Sequence, residues 1–287
     1  MITYRRLTEK DFPRLYHATL DAFSDYAVPY QPTEESLRRM FVINGVNFDL
    51  SVGAFDGEAM IGFIVNAVGA WNGKRTVYDS GTGIISNYRR QGISRKMFDF
   101  ILPILRENKI EQYLLEVVTE NEPAVRLYQG LNFEISRRLL VFKREAVVFI
   151  GENKSENFII EEIKTPDWKS FESFQTYRPS WQNSTDAIKR SLADETIIKT
   201  FLGLYLSGEL AGYGVVFHNS GSVPQIAVAE KHRRKNFGRA LLNALQKQTE
   251  KPLTISNIDA QATSVSAFLE ASGFSLLTTQ YEMLLKL

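Results

Sequence analysis

The sequence predicts an α/β fold built as two similar domains, and three observations carry that prediction. A basic, glycine-bearing turn that links an apolar strand-like run to an amphipathic helix occurs twice, from Ile84 to Met97 and from Val228 to Leu241. Segments with strand-like alternation and segments with apolar residues three and four apart succeed one another along both halves. The two turns are offset by 144 positions (Arg89 to Arg233), and the later landmarks Phe133 and Phe274 by 141. That spacing, in 287 residues, suits two domains that each bury a core and excludes a short-period solenoid.

The elements follow in order. Ile2 to Arg6 reads as a strand, and Asp11 to Phe23 as a helix entered after Thr8. Ser24 to Pro32 is an aromatic, proline-bearing loop before a helix near Glu34 to Phe41. Leu50 to Phe55 and Met60 to Val68 form a strand pair across Asp56 and Gly57, a strong hairpin signal. Val77 to Ile85 feeds the first basic turn. The helix after it aligns Ile93, Met97, Phe98, Ile101 and Leu105, and Pro103 is expected to kink it. Tyr113 to Val118 is a buried strand, Asn121 to Tyr128 a helix with Pro123 in its first turn, and Glu134 to Lys143 a strand. Asn132 suits the left-handed position after that helix.

Glu145 to Asn157 turns polar and reads as a linker, so the chain divides into a domain over 1–146, a linker over 147–157 and a domain over 158–287. The second domain repeats the plan in shorter form. Strands are expected at Phe158–Ile163, Ile197–Leu206, Leu210–Phe217, Val223–Val228, Leu253–Ile258 and Thr279–Leu285. Helices are expected at Asp167–Thr176 and Thr185–Ala193, over a segment with Phe237, Leu241, Leu242 and Leu245 on one face, and at Ser264–Ser272.

Composition excludes several function classes. Apolar residues make up 44% and charged residues 23%, ordinary for a globular chain, and the net charge is +1. Nothing in these totals argues for nucleic acid or an anionic membrane as a partner. The absence of cysteine removes disulfides, thiolate metal sites and a cysteine acyl-enzyme. His17, His218 and His232 lack ligand spacing, so no metal is expected. Met1 to Asp11 holds no apolar leader and no run approaches a membrane span, so a cytoplasmic protein is expected.

The basic turn has the parts of an anion site: backbone N–H groups at a helix start, the positive end of the helix dipole, and arginines alongside. The residues from Arg89 to Phe133 resemble the GNAT superfamily of N-acetyltransferases. That family's pyrophosphate loop has Gln or Arg, two residues, Gly, one residue, then Gly or Ala. Arg89 and Gly92 match in the first copy, with Ser94 at the last position. Arg233 and Gly238 match in the second, with Asn236 at the first glycine. The strand at Tyr113 to Val118, then Asn121, Tyr128 and Phe133, follow in the family's order.

The resemblance implies two GNAT-like domains, each a mixed, mostly antiparallel splayed sheet flanked by helices. It implies acetyl-CoA as cosubstrate, held in the first domain by Arg89, Arg90, Gln91, Gly92, Ile93, Ser94 and Arg95. Ile84 and Ile85 would pair with the pantetheine amides by edge addition. Asn121 would bond the pantetheine arm or simply cap its helix. Tyr128 aligns with the family's general acid. Tyr26 and Tyr30 lie where the family builds its acceptor pocket.

An alkyl amine titrates near ~10.4, so a base must deliver it neutral; the leaving thiol, near ~8.5, needs less help. Asp79, on the strand before the loop, and Glu116, inside the apolar run Leu114 to Val118, are the candidate bases. The acceptor is expected to be a primary amine on a small molecule or peptide, and the acyl group to move by direct attack. The second domain has Leu269 at the Tyr128 position and Ala262 at the Asn121 position. It is expected to contribute structure rather than a second reaction. A different class of function, a non-catalytic acyl-CoA-binding or regulatory protein, uses the same residues without turnover. Nucleotide hydrolysis is excluded, because neither loop ends in the Gly-Lys-Ser/Thr sequence that holds Mg²⁺.

Overall fold

The computed structural model describes residues 1–25, 30–147, 149 and 157–287. It divides into two compact units, one of Met1–Ser136 with Glu282–Leu287, the other of Arg137–Tyr281.

In the first unit β1 (Ile2–Arg6), α1 (Phe12–Ala22) and α2 (Glu34–Asn44) precede β2 (Val52–Asp56), β3 (Ala59–Trp71) and β4 (Lys74–Ile84). Then come α3 (Ile93–Glu107), β5 (Gln112–Val118), α4 (Glu122–Gln129) and the start of β6 (Glu134–Lys143). β1 to β4 run antiparallel to their neighbours, whereas β4 and β5 are parallel. Their pairing covers only Thr76–Tyr78 against Gln112–Leu114. Beyond Tyr78 no β5 residue pairs with β4, so β4 presents an edge from Asp79 onward.

Two apolar layers cover this sheet. α1 and α2 bury Phe12, Leu15, Leu37 and Phe41 against Phe63 and Val65. On the other face α3 contributes Ile93, Met97, Phe98, Ile101 and Leu105, all buried and all on the stripe read from the sequence. α3 continues through Pro103 to Glu107. Asn132 has φ 68° directly after α4, the left-handed conformation anticipated there.

The second unit opens with β7 (Ile159–Glu162), α5 (Trp168–Phe174), α6 (Thr185–Leu192), β8 (Lys199–Leu206), β9 (Glu209–Phe217) and β10 (Ser222–Val228). It closes with α7 (Phe237–Gln246), β11 (Thr254–Asp259), α8 (Thr263–Glu270) and β12 (Ser275–Lys286). β12 begins four residues earlier than the periodicity indicates. The parallel pair β10–β11 is joined only at Ser222↔Thr254. One core, with Phe237, Leu241 and Leu245, lies under α7. Another, with Phe171, Ile188 and Tyr213, lies under α5 and α6.

The compact units differ from the division at 146 and 158. The chain leaves the first unit inside β6, because Leu139 to Lys143 pair with Thr254 to Asp259 of β11. It returns inside β12: the Leu287 N–H donates to the Glu111 carbonyl at 3.0 Å, and Ser136 Oγ donates to Glu282 Oε1 at 2.8 Å. A composition shift marks where a chain becomes polar, not where its strands pair. Most of the 147–157 linker lies outside the described residues. Among the described residues no helix is long and apolar enough to cross a membrane.

Candidate functional site

The first basic loop takes its shape from three residues. Arg89 is extended (φ −66°, ψ 161°), Arg90 is left-handed (φ 62°) and Gly92, which caps α3, is left-handed too (φ 72°). The first intrahelical bond runs from the Lys96 N–H to the Gly92 carbonyl, so Ile93, Ser94 and Arg95 head the helix without intrahelical acceptors. Among the described residues, a Cβ built on Gly92 meets nothing within 4 Å. The space beside this helix end is open, as a cradle for the diphosphate of coenzyme A requires, and the residues present fit that group.

Arg89 is held by groups of the protein. Its guanidinium donates to both Asp25 oxygens at 2.6 and 2.9 Å, to the Ala22 carbonyl at 3.0 Å and to the Ile84 carbonyl at 3.3 Å. It ties the loop to the end of α1, and the Asp25 carboxyl is lowered by the bond to Arg89. Arg95 donates to the Gly130 carbonyl at 2.8 Å, bracing α3 on α4. Of the loop cations, Arg90 is exposed and, among the described residues, has no such tie. Gln91 Nε2 donates to the Asn87 carbonyl at 3.4 Å. Ile84 ends β4, and Ile85 follows it with its N–H donating to the Ile61 carbonyl of β3 at 3.1 Å. Asn121 caps α4, its side chain accepting from the Ala124 N–H at 3.3 Å.

The two candidate bases face opposite ways. β4 pairs Tyr78 with Ala67 and Asp79 with Asn66, then shifts register before Gly81. Ser80 is the extra residue of a β-bulge. Asp79 stabilises that bulge: it accepts the Gly81 N–H at 2.9 Å and the Thr82 hydroxyl at 2.6 Å. It is 8% exposed, on the face of α3. Tyr113, whose hydroxyl bonds Asn66, shares that face, its pKa pushed up by burial and then by Asp79 and Tyr128. Glu116 lies on the face of α1 and α2, half-buried, and accepts the Tyr78 hydroxyl at 3.1 Å. Alternation along β4 and β5 imposes this separation.

Burial pushes the Asp79 carboxyl up to about 6, against hydrogen bonds that pull it down. A folded-state value above the unfolded one means that stability is fully present below pH 3.8 and is lost as pH rises through 6. The loss corresponds to roughly 3 kcal/mol. Asp79→Asn should therefore gain stability relative to the parent between pH 4 and pH 8, as read by urea unfolding at both values. A pH-independent difference would show that this carboxyl is not the titrating group.

Tyr128 is buried in an aromatic cluster, edge-on to Phe98 at 6.0 Å and to Phe133 at 5.7 Å between ring centroids. Tyr30 is less open than a loop aromatic suggests. Its ring packs edge-on to Phe23 at 5.5 Å, its hydroxyl meets Met40 Sδ at 3.4 Å, and burial pushes its pKa up to about 12. Tyr26 lies outside the described residues. Sequence reasoning missed the Tyr78–Glu116 pair, which only the β4–β5 register reveals. It also missed Asp25, whose role depends on the reach of Arg89.

The second loop reproduces the backbone of the first. Arg233 has φ −66° and ψ 161°, Arg234 has φ 65°, and Asn236 has φ 64° where Gly92 stands. Arg233 donates to the Val228 and Phe174 carbonyls, both at 3.0 Å, the counterparts of Ile84 and Ala22. The glycine kept here, Gly238, has a reason inside the protein: a Cβ would sit 2.9 Å from the Phe268 ring. A cavity of about 530 Å³ opens between this loop, β10, α7 and α8. Among the described residues no group of His, Cys, Asp or Glu is arranged to hold a metal ion.

Comparison with known proteins agrees with this architecture. The model of the acetyltransferase (GNAT) family matches residues 12–133, and a second GNAT-domain model matches residues 169–283. A putative acetyltransferase from Pyrococcus horikoshii superposes with TM-score 0.70 at 19% identity, over 100% of this chain and 89% of that one. A tandem GNAT protein from the clavulanic acid biosynthesis pathway superposes with TM-score 0.73 at 14% identity, over 100% and 98%. A GCN5-related N-acetyltransferase from Sphaerobacter thermophilus superposes with TM-score 0.75 at 11% identity, over 99% and 95%. At these identities the likeness concerns the fold. No curated protein matches the chain by sequence. With both halves matched by family models, the chain belongs to the GNAT acetyltransferase family and carries two of its domains in tandem.

Proposed function

We propose that the protein transfers an acetyl group from acetyl-CoA to a primary amine, by direct attack within the first unit. The observation that carries this reading is the opening of β4 away from β5 beyond Tyr78, with Glu116 on one face of the sheet and Tyr128 on the other. A thioester supplies an activated acyl group; the chain's part is to hold it, receive a proton from the amine and return one to the sulfur. The first turn of α3 offers N–H groups to the diphosphate, and Arg90 adds charge. The β4 edge from Asp79 to Ile84 offers backbone groups to the pantetheine amides, in a shape that the Asp79-braced bulge maintains.

Glu116 is the base in this reading. It lies on the α1–α2 face with Tyr30, and the Tyr78 hydroxyl orients it. Asp79, enclosed on the α3 face by its own bonds to Gly81 and Thr82, supports the strand. As the amine nitrogen attacks the carbonyl carbon, Glu116 takes its proton, directly or through water. The C–S bond then breaks, and the Tyr128 hydroxyl donates to the departing sulfur.

The test is thiol release from acetyl-CoA across a panel of small-molecule and peptide amines. Tyr128→Phe should leave coenzyme A affinity unchanged and slow turnover by about 10²-fold, the low end for a general acid, because thiols leave readily. Parental turnover in that variant, with chemistry rate-limiting, would reduce Tyr128 to a packing residue. If no amine elicits release, the competing reading stands: an acyl-CoA-binding protein without turnover.

A further inference from the structure

We propose that the Ser80 hydroxyl, held in place by Asn44, donates a hydrogen bond to the thioester carbonyl oxygen of the acyl donor, which makes Ser80 a further catalytic residue of the first unit. The proposal rests on the acetyl-transfer reading and fills a role which that reading leaves open. Attack by an amine places negative charge on the carbonyl oxygen, and a donor aimed at that oxygen gains strength as the charge grows. Glu116 serves the amine proton and Tyr128 the sulfur, so neither is assigned to it.

Ser80 stands where the two strands part. Tyr78↔Leu114 is the last pair between β4 and β5, and Ser80 is the unpaired residue of the bulge two positions on. Its side chain lies on the α1–α2 face, because Asn44 Nδ2 of α2 donates to Ser80 Oγ at 2.8 Å. Glu116, two residues beyond Leu114 on β5, shares that face and accepts the Tyr78 hydroxyl. Asn44 is 1% exposed, so the tether is shielded from water, whereas Ser80 itself is only half-buried.

The hydrogen bonds around the bulge single out this hydroxyl. The Gly81 N–H and the Thr82 hydroxyl are both spent on Asp79, on the opposite face. The Tyr78 hydroxyl is spent on Glu116. Ser80 differs from all three. Its oxygen accepts from an amide, and among the described residues its own proton has no acceptor. A hydroxyl offers one donor and two acceptor positions, so accepting from Asn44 fixes the oxygen and leaves the O–H to aim into the opening. A ligand atom with lone pairs satisfies it. The attacking amine does not, since its lone pair goes to carbon, and a carboxylate there would meet the charge of Glu116 on the same face. The thioester carbonyl oxygen is neutral at the start and gains charge during attack. The proton stays on Ser80 throughout, and no bond to Ser80 is made or broken.

The experiment is infrared spectroscopy of the full chain with bound acetyl-CoA isotope-labelled at the carbonyl carbon, without an amine, alongside titration and the thiol-release assay. In the parent the carbonyl band should lie at lower frequency than in free acetyl-CoA, because the donor polarises the bond. Ser80→Ala should return the band toward its free position and keep acetyl-CoA affinity within a few-fold. It should lower kcat by about 10²-fold, the low end for loss of an oxyanion donor. Ser80→Thr keeps the hydroxyl and should keep the low band. Thermal unfolding checks that the bulge, braced by Asp79, survives each change. Lost turnover in Ser80→Ala with the parental band would overturn the assignment and give Ser80 to the acceptor or to packing. A parental band with parental turnover would overturn it too, while the Gly92 and Glu116 assignments stood. Absence of acetyl-CoA binding in the parent would sink the acetyl-transfer reading, and this assignment with it.

Discussion

Gly92→Glu should weaken acetyl-CoA binding to the first unit by roughly 10- to 10³-fold, corresponding to about 1–4 kcal/mol for one added like charge near the diphosphate at surface-type dielectric. The residue caps α3 with φ 72°, and no atom of the described residues lies within 4 Å of its Cβ position. The new side chain therefore displaces ligand rather than neighbouring residues. The left-handed backbone adds a folding cost of roughly 1–2 kcal/mol, to be checked by thermal unfolding. Gly92→Ala separates the contributions, since it carries the backbone cost with little obstruction and no charge. Titration of a folded Gly92→Glu protein at parental first-site affinity would move the diphosphate away from this loop.

Glu116→Gln should lower kcat by about 10²–10⁴-fold while acetyl-CoA affinity stays at the parental value. The amide keeps the size of the side chain and can still accept from Tyr78, so packing on β5 is preserved. The loss should be greatest near neutral pH, where an alkyl amine is almost wholly protonated, and should shrink as pH approaches the amine's own value near ~10.4. Asp79→Asn is the matched control, with turnover within a few-fold and the pH-dependent stability change described above. A collapse of turnover in Asp79→Asn with normal activity in Glu116→Gln would exchange the roles of the two carboxylates.

Much of the fold was legible because its signals are local. The α3 stripe Ile93, Met97, Phe98, Ile101 and Leu105 is a 3.6-residue period, and each member is buried. Asp56–Gly57 announced a hairpin, and β2 and β3 pair across it. The strand Glu134–Lys143 has the bounds read from its sequence. The candidate site was legible as a set of residues and less so as an arrangement. Asp79 and Glu116 look equivalent in sequence, each a carboxylate in an apolar strand. Arg89 looks like a phosphate ligand because nothing in its own segment shows Asp25, 64 positions earlier.

By itself, the sequence determined the repeated strand–loop–helix plan, the helix faces, the left-handed position at Asn132, and the family to which those motifs belong. These depend on backbone preference and periodicity over a few residues. Only the tertiary structure decided which carboxylate lies on which face of the sheet, where the Arg89 guanidinium goes, which residues of β6 and β12 belong to which unit, and that residues 177–183 bridge β10 and β11. Each depends on strand register and long-range pairing. The bulge at Ser80 makes the reason concrete: one extra residue reverses the facing of the strand beyond it, and no local pattern in the sequence specifies that reversal.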